Sequence, residues 1–443
     1  MKRVLTLAVL GLVAGGCGGD APKNAPPANS DARRAELHRS IVENTPFKKV
    51  IAECVLDGVE VSHVSLRDDS LFVEGFETTD DHGRLGLPVL YRVNARNGEV
   101  GGVTWLPKVL DFRPSTVPFV VKQLNQLEAE RQKLIAARQV EMTRKDKDAV
   151  KVAAMSDKIR NVTDQIETAK LQDRVYGVSA NDKLHVVERP SMEEFERPTL
   201  RFTPSTGVAA SPSVVFMGAL DRNRLIGLDP KTWAEIMFFK AEDEIKTTPI
   251  YAEPGNIYFA SEDGHVYGYT SDGRKLIDYR TERAIVCDLC LDIENNAAGK
   301  ETWGALFAAS TDCALYCFNR TSGELMWKYE TGSELRTAPQ VSGDVVYCYS
   351  RGKGMHAIDK KTGKLLYIKT DAWFCLARGK DRVFLAAPGA DAVIAVEEKT
   401  GKELARASVS QFAHVVSDPR TRTVYLVTKD GFIFAAKESE IDY

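Results

Sequence analysis

Residues 345–364 read VVYCYSRGKGMHAIDKKTGK, and this stretch decides the fold. Residues 345–349 form a short apolar run, and 355–359 form a second run in which polar residues interrupt apolar ones; both are typical of buried β-strands. A tight turn follows each run. The first turn contains Gly352 and Gly354, and the second is opened by Asp359 and has Gly363 where a positive φ is expected. The stretch therefore predicts antiparallel strands joined by short turns.

The same pattern recurs along the chain with a period near 40 residues. An aliphatic–aromatic doublet marks each copy, and its aromatic members are Phe72, Tyr176, Phe216, Tyr258, Phe307, Tyr347, Phe384 and Tyr425. From residue 176 onward the steps are 40, 42, 49, 40, 37 and 41 residues. Because about 40 residues make one four-stranded propeller blade, the chain is predicted to be an all-β, eight-bladed β-propeller. Seven blades are the alternative, since the units around 60–105 and 175–190 are the least regular.

A turn followed by an outer strand is the most specific part of the repeat. Residues 321–327 read TSGELMW, and related turns occur at 94–99, 361–364 and 398–402. This motif resembles the PQQ-like (quinoprotein-like) β-propeller repeat, over roughly 46–110 and 173–443. The Trp of the motif is present as Trp327, but the next two units have Tyr367 and Ala405 in its place.

The two ends of the chain are predicted to share a blade. The last unit supplies only three strands, at 413–416, 424–428 and 432–437. Residues 48–55 precede the first unit and read KKVIAECV, which is typical of a strand. We expect this strand to complete the last blade as its outer strand, so that no edge is left unpaired there.

The N-terminus has the features of an export signal. Residues 1–17 read MKRVLTLAVLGLVAGGC, a basic start followed by a short apolar run and small residues. The run resembles a bacterial lipoprotein signal, which implies lipidation of Cys17; an ordinary secretory signal is the alternative. Residues 18–45 are predicted to be a flexible tether, because 18–29 are rich in Gly, Pro, Ala and Asn. Gly18 resembles the sorting position of outer-membrane lipoproteins.

An insert of different composition interrupts the repeat at 115–172. It lies between a first propeller segment, 46–114, which includes the closing strand, and the remaining blades at 173–443. Apolar residues from Val152 to Ala169 step by three and four, as in a coiled coil, and a looser stripe runs from Val120 to Ala137. We therefore expect an antiparallel two-helix hairpin. Its stripes either seal the two helices against each other or form a docking arm for another protein or a second copy.

Composition argues against several classes of function. The 443 residues include 59 Lys or Arg and 62 Asp or Glu, so the net charge of −3 gives no basic surface for nucleic acid. No apolar run long enough to span a membrane follows residue 17, which excludes a polytopic membrane protein. The chain also lacks a Walker loop, a GxSxG elbow and an HExxH motif. We therefore predict no catalytic residue and no metal site.

The chain has eight cysteines, of which seven remain if Cys17 is lipidated. Seven is an odd number, so they cannot all be paired in disulfides within the chain in an oxidising compartment. Cys287 and Cys290 have the spacing of half a zinc site, with Cys313 and Cys317 downstream. However, 285–291 is typical of an inner strand, on which residues three apart face opposite ways. The sequence favours buried, small apolar side chains, with one or two disulfides or a metal as the alternatives.

Two sequence features bear on cofactor chemistry. Gly352-x-Gly354-x-x-Ala357 matches a dinucleotide fingerprint, but the following residues alternate as a strand, so a hairpin turn is predicted. The resemblance to the PQQ-like repeat raises a PQQ-dependent or quinone-binding oxidoreductase as the alternative function. Enzymes of that type hold the quinone under a vicinal Cys-Cys disulfide, which this sequence lacks. We therefore predict no cofactor, and a sensor with a small ligand in the central channel is a third hypothesis.

The combined features resemble the propeller lipoprotein of the outer-membrane β-barrel assembly machinery. The resemblance implies a non-catalytic scaffold that is lipid-anchored in the bacterial cell envelope and faces the periplasm from the outer membrane. It also implies protein partners bound through the propeller loops, to which the sequence adds the hairpin at 115–172. A peptide strand could also pair with an exposed blade edge.

Overall fold

The computed structural model describes most of the chain, and the chain folds into two compact units. The described residues are 28–78, 85–105, 115–116, 118–144, 148–170, 172–178, 183–189, 191–270, 272–296, 298–379, 381–418 and 421–438. One unit comprises Met1–Leu87, Val93–Gly101 and Ala372–Tyr443, and the other comprises Pro88–Arg92 and Gly102–Asp371.

Eight four-stranded antiparallel sheets form the body, and this is the eight-bladed β-propeller that the repeat predicts. Each doublet lies on the second strand of a sheet, where both faces are buried. The strands of sheets one to four are β2 Val59–Arg67, β3 Ser70–Thr78, β4 Leu85–Asn94 and β5 Val100–Trp105; β6 Ser115–Thr116, β7 Arg174–Val178, β8 Leu184–Glu188 and β9 Glu194–Glu196; β10 Ala209–Ala210, β11 Val215–Ala219, β12 Arg224–Leu228 and β13 Glu235–Lys240; and β14 Ile250–Ala252, β15 Asn256–Ala260, β16 His265–Tyr269 and β17 Lys275–Arg280.

Sheets five to eight follow the same order, except that the last sheet takes one strand from the start of the chain. Their strands are β18 Cys290–Asn295, β19 Glu301–Ala309, β20 Ala314–Asn319 and β21 Leu325–Glu330; β22 Gln340–Ser342, β23 Val345–Ser350, β24 Gly354–Asp359 and β25 Leu365–Lys369; β26 Phe374–Arg378, β27 Arg382–Ala386, β28 Ala392–Glu397 and β29 Glu403–Ser408; and β30 His414–Asp418, β31 Thr423–Val427, β32 Phe432–Lys437 and β1 Lys49–Val55. A short 3₁₀ helix, Pro388–Ala390, links β27 to β28.

The predicted closing strand is confirmed. β1 pairs antiparallel with β32, from Lys49 opposite Lys437 to Val55 opposite Phe432. Sheet eight therefore runs β1-β32-β31-β30, so that the N-terminal strand covers the edge of the C-terminal one. The hydrogen bonds between β1 and β32 hold the N-terminal and C-terminal strands in one sheet. They also pair backbone groups of β32 that would otherwise be open to the addition of another strand.

The predicted hairpin is also present. Two helices, α2 Pro118–Thr143 and α3 Ala149–Lys170, follow β6 and precede β7, between the first sheet and the main part of the second. On α3 the residues buried are Val162, Ile166 and Ala169, which continue the three-and-four spacing seen in the sequence. They join one apolar cluster with side chains of sheets two and three.

The tether prediction is wrong for part of its range. A helix, α1 Ala28–Asn44, occupies much of the segment 18–45 that was expected to be flexible. Its Leu37 and Ile41 are buried in a cluster with side chains of sheets seven and eight, and Phe47 packs edge-on against Phe384 at 5.1 Å. One apolar stripe of i, i+4 spacing is enough to hold a polar helix when a neighbouring sheet covers it. Residues 1–27 lie outside the described residues. Among the residues that are described, no helix combines the length and hydropathy needed to cross a bilayer.

Candidate protein-binding surfaces

The turn motif of the repeat docks one sheet onto the next. Asp359 accepts hydrogen bonds at Oδ1 from the backbone N–H groups of Lys361 and Thr362, at 3.1 and 2.8 Å, which fixes the turn before β25. Trp327 of sheet five lies against this turn, and its Nε1–H donates to the Lys360 carbonyl at 3.0 Å. A Cβ added at Gly363 would stand only 2.7 Å from the Trp327 ring. The motif residues are therefore engaged in packing between sheets rather than in binding a ligand.

A buried cation lies beneath the same turn. The Lys360 side chain is 2% exposed, and its ammonium donates to Asp292 at 2.7 Å and to Glu294 at 2.6 Å, both on β18. Burial alone would lower the pKa of Lys360, but hydrogen bonds to the two carboxylates outweigh burial and hold the pKa above its usual value. The hydrogen bond from Lys360 lowers the pKa of Glu294. This ionic group links sheets five and six and leaves no free acid or base.

Arg320 has the corresponding place at the turn of sheet five. Its guanidinium forms a bidentate pair with Glu301 and donates to the Glu253 carbonyl at 3.1 Å. The Tyr258 hydroxyl of sheet four donates in turn to the Arg320 carbonyl at 2.8 Å. Hydrogen bonds to Glu301 raise the pKa of Arg320 and keep it charged. Neither buried cation was identified from the sequence, although each follows the Asn or Asp that opens its turn.

The cysteines pack as apolar side chains. Cys287, Cys290, Cys317 and Cys348 share one cluster between sheets five and six. The inner strand predicted for 285–291 begins only at Cys290, so the argument from alternating faces does not apply to Cys287. Cys290 and Cys317 both oppose Phe307, from the two strands that flank it. They are two strand spacings apart, about 10 Å, which exceeds the reach of a disulfide.

The chemistry of these thiols agrees with their packing. Burial raises the pKa of Cys287, Cys290 and Cys348 to about 12, which keeps the thiols protonated. Cys54, Cys287, Cys290, Cys313, Cys317 and Cys348 are present as free thiols. Among the described residues, no group of three or more His, Cys, Asp or Glu side chains could hold a metal ion. The predicted lipidation site, Cys17, lies outside them.

The glycine-rich fingerprint forms a hairpin turn, as the sequence predicts. Gly352 and Gly354 have φ values of 76° and 101°, and they connect β23 to β24. A strand follows them, so no helix N-terminus is available for a pyrophosphate.

The last strand of sheet six presents an apolar edge. On β25 the side chains of Leu365, Leu366 and Ile368 are 43%, 40% and 42% exposed. A register shift between Ala357 and Ile358 places the extra residue in β25, so that two successive leucines reach solvent. None of the described strands pairs with the far edge of β25. The corresponding strand of sheet seven, β29, reads ELARAS and has a polar edge.

Sheet three has a smaller apolar edge. On β13 Ile236 and Phe238 are 47% and 55% exposed, and the guanidinium of Arg224 lies 4.4 Å from the Phe238 ring. β25 differs from β13 in exposing three large aliphatic side chains instead of two apolar ones.

The hairpin combines a buried base with an exposed tip. At the base, Val120 and Leu124 of α2 are buried with the α3 side chains against sheets two and three. Near the tip, Glu141 is buried and accepts from Lys151 at 2.9 Å and from Arg144 at 3.1 Å, which ties the two helices together. Only the base is therefore part of the core of its unit.

Comparison with known proteins agrees with this architecture. A family model described as outer membrane protein assembly factor BamB matches residues 298–373, which include β19 to β21 and all of sheet six. Among solved structures, BamB from Moraxella catarrhalis has a TM-score of 0.55 at 12% identity, covering 89% of this chain and 99% of that chain. The computationally designed Ika8 protein has a TM-score of 0.52 at 12% identity, covering 88% and 99%. No curated protein matches the sequence.

The structural matches at 12% identity support the fold. The sequence match also includes the turn motif of the repeat, because Trp327 and Gly363 both lie within the matched residues. The chain is thus a PQQ-like β-propeller that resembles BamB.

Proposed function

We propose that this chain is a non-catalytic scaffold that binds proteins during outer-membrane protein assembly. The likeness to BamB supports this role. In the proposal the chain is exported, Cys17 is lipidated, and the propeller faces the periplasm from the outer membrane. Residues 18–27 then separate the anchor from α1, and ten residues span at most about 35 Å. The propeller would remain close to the membrane surface.

The observation that carries the protein-binding part is the apolar edge of β25. Natural proteins usually protect a sheet edge with charges, as β29 does, whereas β25 exposes three large aliphatic side chains. Such an edge fits an extended partner strand, which adds backbone hydrogen bonds to the sheet and places alternate apolar side chains on the leucines. The segments that become the transmembrane strands of outer-membrane barrel proteins have such alternating sequences. The hairpin at 115–172 is a second predicted contact element.

Peptide binding tests the proposed edge. The probe is a labelled ten-residue peptide that copies one transmembrane strand of an outer-membrane porin. Leu366→Lys should weaken its binding about tenfold in fluorescence anisotropy, and a central Pro in the peptide should have a similar effect because it removes a ladder hydrogen bond. Leu404→Lys on β29 is the matched control, since Leu404 is also exposed. Equal binding to wild type and Leu366→Lys would reject β25 as the contact.

The non-catalytic part has its own test. Protein incubated with PQQ and Ca²⁺ should develop no quinone absorbance after gel filtration and should reduce no dye with alcohols or sugars. Either signal would favour the quinone-dependent oxidoreductase.

A further inference from the structure

We propose that the partner strand at the β25 edge carries acidic residues at both ends of its apolar segment. This inference rests on the proposed function, because it names the chemistry of the partner that β25 would bind. It does not depend on lipidation of Cys17 or on the hairpin at 115–172. The observation behind it is the charge around β25, which differs from that of the neighbouring sheets.

Sheet six is strongly basic where its neighbours are balanced. Residues 351–369, from the β23–β24 turn to the end of β25, contain six Lys or Arg and one acidic residue, Asp359. The corresponding residues of sheet five, 311–329, contain two basic and two acidic residues, and those of sheet seven, 389–407, contain three basic and four acidic residues. The whole chain has a net charge of −3, so the excess of positive charge is a local property of sheet six.

The basic residues lie at both ends of β25. Lys364 directly precedes the strand. Lys353 is in the β23–β24 turn, and Gly354 beside it packs so closely on the far end of β25 that an added Cβ would stand 2.4 Å from the Lys369 carbonyl oxygen. The five residues of the strand, at about 3.4 Å each, separate the two ends by about 17 Å. A partner strand of about the same length therefore meets positive charge at each of its ends.

The fold leaves these charges available. Lys369 is engaged by Asp371 at 3.0 Å. By contrast, Arg351, Lys353 and Lys364 are exposed, and none of the three forms an ion pair with a described residue. Their charges are therefore not needed to hold sheet six in place.

The position of these charges selects the partner. Charged residues protect a sheet edge when they interrupt its apolar side chains, whereas here they flank the exposed side chains from Leu365 to Ile368. A second copy of β25 would place like charges at both ends of the pair, which disfavours pairing of the edge with itself. A strand with Asp or Glu at both ends would place opposite charges there, and such complementarity specifies a partner. An anionic membrane offers the same charge but no backbone groups for the strand edge to pair with.

Three labelled peptides test the inference by fluorescence anisotropy with the full mature chain carrying Cys17→Ala. All three contain the same alternating Val-Thr strand, and they differ only in the two residues at each end, which are Asp-Glu, Ser-Ser or Lys-Arg. At about 0.05 M salt, wild type should bind the acidic peptide at least about tenfold more tightly than the basic one, with the serine peptide between them. At about 0.5 M salt the difference should shrink to less than about threefold, because exposed charges are then screened.

Two double variants locate the charges that matter. Lys353→Glu/Lys364→Glu should reverse the order of the acidic and basic peptides, and Lys353→Gln/Lys364→Gln should remove the preference. The matched control is Lys399→Glu/Lys402→Glu, which changes the net charge as much as the first variant but lies in the corresponding turn of sheet seven. It should keep the wild-type order. Thermal unfolding checks that each variant is folded.

Equal binding of the acidic and basic peptides by wild type would overturn the inference, as would equal effects of the two double Glu variants. So would binding to phosphatidylglycerol vesicles that Lys353→Glu/Lys364→Glu abolishes, because the cations would then serve a lipid surface. The serine peptide separates this inference from the proposed function, since loss of its binding on Leu366→Lys supports the β25 edge whichever charged peptide binds better. If none of the three peptides binds wild type, both proposals fail.

Discussion

The contact between Trp327 and Gly363 predicts a stability difference between two glycine substitutions. Gly363→Ala has two costs. An L-residue at φ 72° is strained by about 1–2 kcal/mol, and the new Cβ would stand 2.7 Å from the Trp327 ring. Forcing one extra carbon into a packed contact adds about 1–3 kcal/mol. We expect a total loss of about 2–5 kcal/mol in the free energy of unfolding.

Gly352→Ala supplies the comparison, because its φ of 76° is nearly the same and nothing lies within 4 Å of an added Cβ. It should cost only the backbone strain, about 1–2 kcal/mol. Urea unfolding followed by far-ultraviolet circular dichroism measures both variants against wild type. The difference between them isolates the contact with Trp327.

A double-mutant cycle provides the decisive step. In a Trp327→Leu background the clash is removed, so Gly363→Ala should then cost no more than Gly352→Ala. If the two glycine variants lose the same stability in the wild-type background, the motif does not dock sheet six onto sheet five. The same conclusion follows if Trp327→Leu leaves the cost of Gly363→Ala unchanged.

Three further predictions concern buried or strained groups. Lys360→Met should lower the free energy of unfolding by about 1–3 kcal/mol, because Asp292 and Glu294 lose their cation while remaining partly hydrated. The control Lys361→Met, at the neighbouring position, should change the free energy of unfolding by less than about 0.5 kcal/mol in the same urea assay. Burial lowers the pKa of His356, so the contribution of this residue to stability is complete above the unfolded-state pKa of about 6.5 and is lost as the pH falls towards the folded-state pKa. His356→Leu should therefore flatten the decline of the thermal midpoint between pH 7 and 5. An unchanged dependence of the midpoint on pH would contradict this. Cys313 has a φ of 75°, so Cys313→Gly should raise the free energy of unfolding by about 0.5–1 kcal/mol, and a loss of stability would show that the thiol contributes more than the strain costs.

The sequence predicts the sheets well because their signal is local and repeated. The pattern of apolar residues marks the buried faces of the strands, and Gly363 and its equivalents mark the turns. Each repeat unit can therefore be recognised from its own sequence. The closing strand was predictable for a different reason: three strands at one end and one unassigned strand at the other leave a single pairing that protects an edge.

The parts that were not predicted depend on contacts distant in sequence. Helix α1 has only Leu37 and Ile41 as a stripe, and their spacing gains meaning once sheets seven and eight cover them. Lys360 and Lys361 look alike in a polar turn, and only the position of β18 decides which of them is buried. The apolar edge of β25 was hidden for a related reason, because the bulge breaks the alternation that would have revealed which leucine faces outward.

The hairpin shows why one stripe can support two interpretations. Its heptad spacing predicts helix pairing, and Leu127 and Leu134 of α2 pack against the cluster that contains Ile166 of α3. At the base, however, the sheets add further burial, as for Ile166. At the opposite end, Val140 near the end of α2 and Val150 near the start of α3 are exposed. The structural and functional interpretations therefore belong to different segments of the same helices. Deletion of the entire hairpin would remove buried side chains and surface contacts together, so only substitutions confined to the tip can separate stability from binding.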